Sequence, residues 1–474
     1  METGVSMRSA ILAVLVTAAL AVAGCGGGDD DGGGGGGGGS GGNENVTLDV
    51  WTNEFQPDRV AATERSLAEF TQQTGIKTKV VPIPEDQLAT LITNATAAGK
   101  LPDVIAGVNM ADSLSYAQQE ILDPDAAQAV VERLGPDTFS ERALQLVSAD
   151  GTATGVPADG WGQLLIYRKD VFDKAGLDTP ETLEDVRAAA EQLNGQDGMA
   201  GITLATAPGD GFTSETFEHV ALAFGCQLVD DAGTVTVDSP ECVDALAYYG
   251  DLARDYSVKG NQDVDSTRGT YFAGRAAMMF WSPFLLDGMA GLRSDTKPSC
   301  PECKENPAYL AENSGLVGPL SADGGEPSQF GVVSTIAITV DADTEPAQQL
   351  VEYMMSDGYV DWLSLSPQGK YPVRLGDEED PERFAQAWEK LRAGVDTKAR
   401  LSEFYSQASI DSIKAGVQNF QRWGFEQGQG ALVGALSGEQ PVATAVNDVI
   451  GGEDPAEAAK QLKATVEEIK TGLE

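Results

Sequence analysis

Between Val46 and Ala106 the apolar pattern switches period four times, and few architectures accept that alternation. Val46 to Trp51 (VTLDVW) alternates as a strand does. Asp58 then caps an amphipathic stretch carrying Val60, Ala61, Leu67 and Phe70, which stops at Gly75. Ile76 to Val81 reads as a second strand. Pro84 to Gly99 reads as a second helix with Leu88, Leu91 and Ile92 on one face, and Asp103 to Ala106 as a third strand. This β-α-β-α-β order predicts a parallel, doubly wound sheet with helices on both faces. Ligands of such sheets gather beyond the carboxyl ends of the strands, here Trp51 to Phe55 and Gly107 to Asp112. A second α/β block follows. Leu164 to Tyr167 is a strand, Thr179-Pro180-Glu181 opens a helix, and Thr344-Glu345-Pro346 starts another.

What precedes Val46 reads as an address and a tether. Arg8 is followed by thirteen apolar or small residues, Ile11 to Ala23, too few for a bilayer core that needs about 20 but suited to a secretory signal. Met7 is a second candidate start. Val22-Ala23-Gly24-Cys25 resembles a bacterial lipobox, which implies a signal peptide over 1–24, cleavage before Cys25 and a lipid on its sulfur. The competing reading is an ordinary signal with a chance cysteine. Gly26 to Asn43 is almost entirely Gly, Asp and Ser with no apolar residue; such a coil cannot fold and spans on the order of 23 Å. Residues 25–45 are thus expected to hold the rest at the extracytoplasmic face of the cell membrane.

The remaining body of about 430 residues exceeds the single-core limit of roughly 250–300, so two domains are expected. The net charge of −42 disfavours nucleic acid, because phosphate binding needs clustered Lys and Arg. Acids spread along every segment read first as a solvated surface and second as a cue to a cationic ligand. Besides Cys25, the four cysteines pair most simply as Cys226–Cys242 and Cys300–Cys303, since export favours disulfides. A four-thiolate zinc site and a redox CxxC are the rival readings. With one histidine, His219, the chain offers no His-based metal site or triad; no metal and no cofactor are expected.

Five segments in order carry a family resemblance. They are LPDVIAGVNMADSLSYAQQEILDP (101–124), GTATGVPADGWGQLLIYRKDVFDKAGLDTPETLEDV (151–186), RGTYFAGRAAMMFWSPF (268–284), GKYPVR (369–374) and ALSGEQPVATAVNDV (435–449). Together they resemble the sugar-binding family 1 of extracellular solute-binding proteins of bacterial ABC importers, the maltose-binding-protein family. Arg168, Leu183 and Gln119-Glu120 depart from the usual Asn, Trp and Gly. The resemblance implies two doubly wound α/β lobes joined by a multi-crossing hinge, the type II periplasmic binding protein fold, closing over ligand. It places lobe 1 at 46–155 with 332–371 and lobe 2 at 156–331 with 372–474. The crossings would lie near Gly155-Val156-Pro157, Phe330-Gly331 and Tyr371-Pro372.

A sugar presents C–H faces to aromatic rings and hydroxyls to amides and carboxylates, whose buried hydrogen bonds confer specificity. The resemblance puts Trp161 in the cleft and Trp281 and Phe284 at a stacking position, one stacking and one packing. It puts Trp423 and Phe425 where relatives carry a further aromatic. Polar partners are expected from Asn53, Glu54, Asn109 and Asp112 at strand ends, from Glu215 and Asp159, and from Tyr371 and Arg374 at the last crossing; Arg374 also reads as a structural ion pair. The implied function is a monomeric, lipid-anchored binding protein that captures a mono- or oligosaccharide and passes it to ABC permease subunits. The chain carries no HExxH, GxSxG or P-loop, so no catalysis is expected. Two alternatives remain. The same fold could take a cationic or peptide-like solute, which three or more unpaired carboxylates in the pocket would favour. A lipid-anchored glycoside hydrolase would need only two carboxylates.

Overall fold

A computed structural model describes residues 46–322 and 324–473; the signal, Cys25 and the tether lie outside the described residues. Three parallel strands begin the body: β1 (Thr47–Thr52), β2 (Lys77–Pro82) and β3 (Val104–Asn109). Helix α1 (Pro57–Thr74) and helix α2 (Glu85–Ala98) connect them, each ended by a left-handed glycine, Gly75 or Gly99, the conformation that costs glycine least. Leu67 and Phe70 of α1 and Leu88 and Ile92 of α2 are buried, the stripes the sequence pattern marks. Helix α3 (Met110–Gln118) follows, capped by Asn109, whose Oδ1 accepts from the Asp112 N–H. The short ladder β4 (Ser148–Ala149) and β5 (Thr152–Ala153) turns back through Asp150 and Gly151.

The chain then crosses between two sheets. β6 (Val156–Gly162) belongs to the first and β7 (Leu164–Arg168) to a second, with Gln163 alone between them. β8 (Met278–Trp281) and β9 (Ser314–Val317) flank β7 antiparallel. β10 (Gly331–Ile338) returns to the first sheet, and β11 (Tyr371–Pro372) closes its edge. The first sheet therefore runs β11-β6-β10-β3-β1-β2 and the second β8-β7-β9. The first is mixed rather than wholly parallel: β10 re-enters from the other sheet and runs antiparallel to both β3 and β6. Helix α4 (Gly211–Ala223), the helices Pro240–Tyr256 and Pro441–Gly451, helix α5 (Gly430–Glu439) and helix α6 (Pro455–Leu473) supply the apolar cluster around the second sheet. Among the described residues no helix is long and apolar enough to cross a membrane.

Local structure departs from the sequence reading in several places: Asp58 lies inside the first turn of α1, whose N-cap is Gln56, and Leu91 of α2 is exposed. The helix expected from Thr179 starts at Leu183, because Thr182 and Asp185 form a capping box: Thr182 Oγ1 accepts the Asp185 N–H and the Asp185 carboxylate accepts the Thr182 N–H. The first passage lies at Gln163, beyond Gly155-Val156-Pro157, because β6 keeps its ladder with β10 as far as Gly162. Tyr371-Pro372 pairs with β6 in the first sheet, and beyond it the chain meets the segment after β8, as the Val395 N–H donates to the Leu292 carbonyl and Tyr405 Oη to that of Leu286. Arg374 donates to the carbonyls of Leu134 and Met355 and to Thr138 Oγ1, which holds the chain on the first sheet. Phe420 still packs against Gly160, Gly162 and Gly331, whereas Trp423 lies in the second cluster.

Both expected disulfides are present, Cys226–Cys242 and Cys300–Cys303, with Cα atoms 4.6 Å and 5.0 Å apart. The first spans a separation of 16 residues, a loop whose closure contributes about 3 kcal/mol in the chain-entropy account. Replacing Cys226 and Cys242 by serine is expected to lower unfolding free energy by about that amount. Urea titration of the wild type and the double variant without reductant measures the difference.

Candidate functional site

Three chain passages meet at one place, and the aromatic residues gather there. Along β6, alternation puts Asp159 and Trp161 on one face and Gly160 and Gly162 on the other. The second face lies flat on Phe420: a Cβ at Gly162 would stand 2.8 Å from its ring. The Trp161 ring, half-buried, meets Phe284 at 6.3 Å edge-on and Phe330 at 5.9 Å. Phe284 sits against Gly369, where any Cβ would overlap the ring. Phe330 carries the Arg422 guanidinium 4.3 Å from its centroid, and Arg422 also faces Phe425 at 5.4 Å. Glu218 fixes Arg422 by accepting from its Nε at 2.9 Å while taking the Trp423 N–H at 2.8 Å. The result is a continuous run, Phe284–Trp161–Phe330–Arg422–Phe425, of rings and one cation. Trp281 lies 5.8 Å from Phe212 of α4, and its buried Nε1–H has no partner.

Polar groups approach from both sheets. Asn53, after β1, donates from Nδ2 to the Gly107 carbonyl at 2.8 Å, while its buried Oδ1 has no partner. Gly107 has φ 92°, and a Cβ there would overlap the Asn53 amide, so only glycine suits the position. Asn109 turns inward on its own helix: besides capping α3, it donates from Nδ2 to Asp112 Oδ2 at 2.7 Å. Burial raises the Asp112 carboxyl to about 6; Asn109 opposes the shift and the charge of Glu85 adds to it. Glu215 on α4 is raised to about 7, mainly by desolvation, with Arg422 opposing and Glu85, Glu218 and Asp210 reinforcing. Helices α2, α3 and α4 thus bring carboxylates into one another's field. Phe425 also borders a cavity of about 810 Å³ between α3, the β4–β5 ladder and the start of α5.

Five expected contacts are committed elsewhere. Glu54 is buried and pairs with Arg59 and with Lys370, both at 2.9 Å. Lys370 also reaches Asp159 at 3.3 Å and lies 4.0 Å above the Trp362 ring, whose Nε1 donates to the same carboxylate at 2.7 Å. Burial works against each charge. For Lys370 the two carboxylates outweigh it and hold the ammonium above the usual range; for Glu54, Lys370 and Arg59 outweigh it and hold the carboxyl low. Asp159 is raised, because its complete burial prevails over Lys370. Tyr371 packs edge-on against Trp388 at 4.9 Å, and the fork of Arg374 is filled by backbone carbonyls and Thr138. Trp423 stands against Phe217 at 6.0 Å and donates to the Cys226 carbonyl at 2.8 Å. The sequence reading passed over Phe330, Arg422 and Glu218. Phe330 and Arg422 carried a usable signal, since both flank the chain passages. Among the described residues no group of three or more His, Cys, Asp or Glu side chains could hold a metal ion.

The profile of the family described as bacterial extracellular solute-binding protein matches residues 52–361. The putative ABC transporter periplasmic-binding protein YcjN of Escherichia coli K12 is 29% identical over 345 residues, 69% of this chain and 73% of that protein. Among solved structures, maltose-bound MalE3 of T. maritima superposes with a TM-score of 0.67 at 19% identity, over 89% of this chain and 99% of that one. A solute-binding protein from Thermotoga lettingae bound with α-D-tagatose gives 0.66 at 20% identity, over 90% and 99%. At these identities the likeness is one of fold, the type II periplasmic binding protein fold.

Two measurements test the charges. Lys370→Met leaves Glu54 and Asp159 buried without their ammonium and is expected to cost about 3–5 kcal/mol, read by chemical denaturation at pH 7. Glu215 binds its proton more tightly folded than unfolded. Its contribution is therefore complete below the unfolded value of 4.5 and is lost as pH rises through about 7. Glu215→Gln is expected to leave the melting point unchanged at pH 4 and to raise it at pH 8 by on the order of 2 °C.

Proposed function

The chain belongs to the bacterial extracellular solute-binding proteins, and from that premise we propose that it captures a carbohydrate, a mono- or oligosaccharide, and delivers it to the permease subunits of an ABC importer. The ligand lies between two lobes joined by several chain crossings. The protein is a monomer held at the extracytoplasmic face of the membrane by lipid on Cys25. No bond is made or broken; the ligand acts by binding the closed arrangement better than the open one.

The observation that carries the carbohydrate reading is the pair of partly exposed rings Trp161 and Phe284 at the chain passages, with Phe330 buried against Trp161. Flat rings suit the C–H faces of a sugar and add about 0.5–1.5 kcal/mol per well-placed contact beyond area burial. Trp281 Nε1 and Asn53 Oδ1, both without partners, supply a donor and an acceptor for hydroxyls. Glu215 and Asp112 accept hydrogen bonds from hydroxyls on the two sides. Relatives of the same fold that were solved with maltose and with tagatose support the same ligand class.

One observation favours a second reading. Glu85, Asp112, Asp210, Glu215 and Glu218 act on a region where Arg422 is the opposing cation, and such a field favours a cationic or peptide-like solute. Thermal-shift measurements against saccharides, polyamines and peptides separate the two, because a ligand selective for the native state raises the melting point. Saccharides are expected to raise it and polyamines to leave it unchanged; the reverse result overturns the carbohydrate reading. Trp161→Ala and Phe284→Ala are each expected to weaken saccharide binding about tenfold or more, measured by calorimetry, with little change in the melting point of the free protein.

A further inference from the structure

Helix α5 carries glycine at every fourth position, Gly430, Gly434 and Gly438. Glycine inside a helix costs about 1 kcal/mol against alanine, so Gly434, in the middle of α5, calls for a reason in its surroundings. A Cβ there would stand 2.8 Å from the Ala111 carbonyl oxygen and 3.0 Å from Ser115 Cβ, both on α3. One at Gly430 would overlap Leu114 Cδ1, also on α3, and stand 3.3 Å from the Phe425 ring. One at Gly438 would meet nothing within 4 Å. Two of the three glycines thus serve an approach to α3, and they differ in kind. Leu114 Cδ1 ends a flexible side chain, whereas the Ala111 carbonyl is helix backbone and cannot swing aside.

The two helices are fixed to different sheets. α3 leaves β3 directly; its Met110 lies in the core of the first sheet, and its Tyr116 packs in one cluster with Ile105 and Val108 of β3. α5 sends Leu432, Val433 and Leu436 into the cluster around the second sheet. Gln440, just past its end, accepts from Ser214 Oγ of α4 at 2.6 Å. Ala111 is the exception: carried by α3, it packs in the cluster of the second sheet. The boundary between the sheets therefore runs through the Ala111–Gly434 contact. Close packing of this sort holds at one separation, because a gap of about 0.5–1 Å forfeits a quarter to a half of the dispersion energy.

We infer that Gly434, with Gly430, sets how far the two lobes close: backbone contact between α3 and α5 is the stop, and a side chain at position 434 props the lobes apart. The inference rests on the proposed capture between two lobes, but not on what is captured. Gly434 is a positioning residue. It acts through the approach of α3, which carries Asp112, to α5, which follows Phe425, so a prop between the helices widens the space between those two groups.

Small-angle X-ray scattering of the mature chain, free and with maltose or spermidine, tests it. The wild type is expected to show the compact arrangement described above in at least one of these conditions. Gly434→Leu is expected to lose it there, and Gly438→Leu to keep it. Leucine is the better helix former, so weakened helix does not explain such a loss. Gly430→Leu is expected to lose the compact form as well, and Leu114→Ala in the same chain to restore it; this pair serves should Gly434→Leu fail to fold. A compact Gly434→Leu chain, equal expansion by Gly438→Leu, a widened Gly430→Leu that Leu114→Ala does not restore, or a wild type expanded in every condition overturns the inference. A compact wild type that neither probe alters, with the variants in the expected order, upholds the stop and tells against capture of those probes, so the two readings fail separately.

Discussion

Everything at the centre of the molecule depends on a reciprocal clasp between two chain passages. Gln163, the one residue between β6 and β7, donates its N–H to the Phe330 carbonyl at 2.9 Å. Gln329, just before β10, returns a bond from Nε2 to the Gln163 carbonyl at 2.9 Å. A third passage joins them as the Gln421 N–H donates to the Gln329 carbonyl at 2.9 Å. These groups are buried, and a buried amide left unpaired costs about 1–3 kcal/mol, so each passage keeps the others in register. The glycines around the clasp follow from it. Side chains at Gly162, Gly318 and Gly416 would each meet Gln329 within 3 Å.

The same clasp places the rings. Trp161 precedes Gln163 by two residues and Phe330 follows Gln329 directly, so their contact is inherited from the backbone pairing. His219 contributes from α4: its Nδ1 accepts the Phe330 N–H at 3.2 Å, and burial lowers the imidazole to about 3, leaving it neutral and an acceptor. Arg422 follows Gln421 in turn and lands on Phe330 with its charge balanced by Glu218. Cation, rings and passages thus form one unit.

The sequence revealed the architecture more fully than the site, for physical reasons. Period changes locate β1 to β3 and their helices because burial on one face is a local constraint. The cysteine pairing was legible because export and even number leave few options. The strand-end rule leads to Asn53 and Asp112; Asn53 Oδ1 is buried without a partner, and burial raises the Asp112 carboxyl. It misjudged Glu54, since nothing near Glu54 in sequence reveals that Lys370 lies 2.9 Å away. Arg374 and Trp423 look like ligand groups to a reader of residue types, yet their donors are consumed by carbonyls distant in sequence, Leu134 and Met355 for one and Cys226 for the other. Phe330 was overlooked for the opposite reason: an apolar residue at the start of a strand reads as core, and only tertiary structure turns it toward Trp161.

The buried charges below Trp161 account for why the aromatic wall stands where it does. Asp159 and Trp161 project from the same face of β6, so fixing one orients the other. Asp159 is tied to Trp362 and Lys370, Lys370 to Glu54, and Glu54 to Arg59, which reaches Ser366 at 3.0 Å. Apolar residues of the same volume would hold the strand at least as stably, since a buried ion pair seldom repays its desolvation. What the ionic chain adds is direction: it links the ends of β1 and β6 to the segment that presents Gly369 to Phe284. Side chains already immobile before a ligand arrives forfeit little entropy on binding, about 0.5–1.5 kcal/mol less for each. A site of few contacts gains most from that economy, which is the physical case for spending four buried charges beneath two rings.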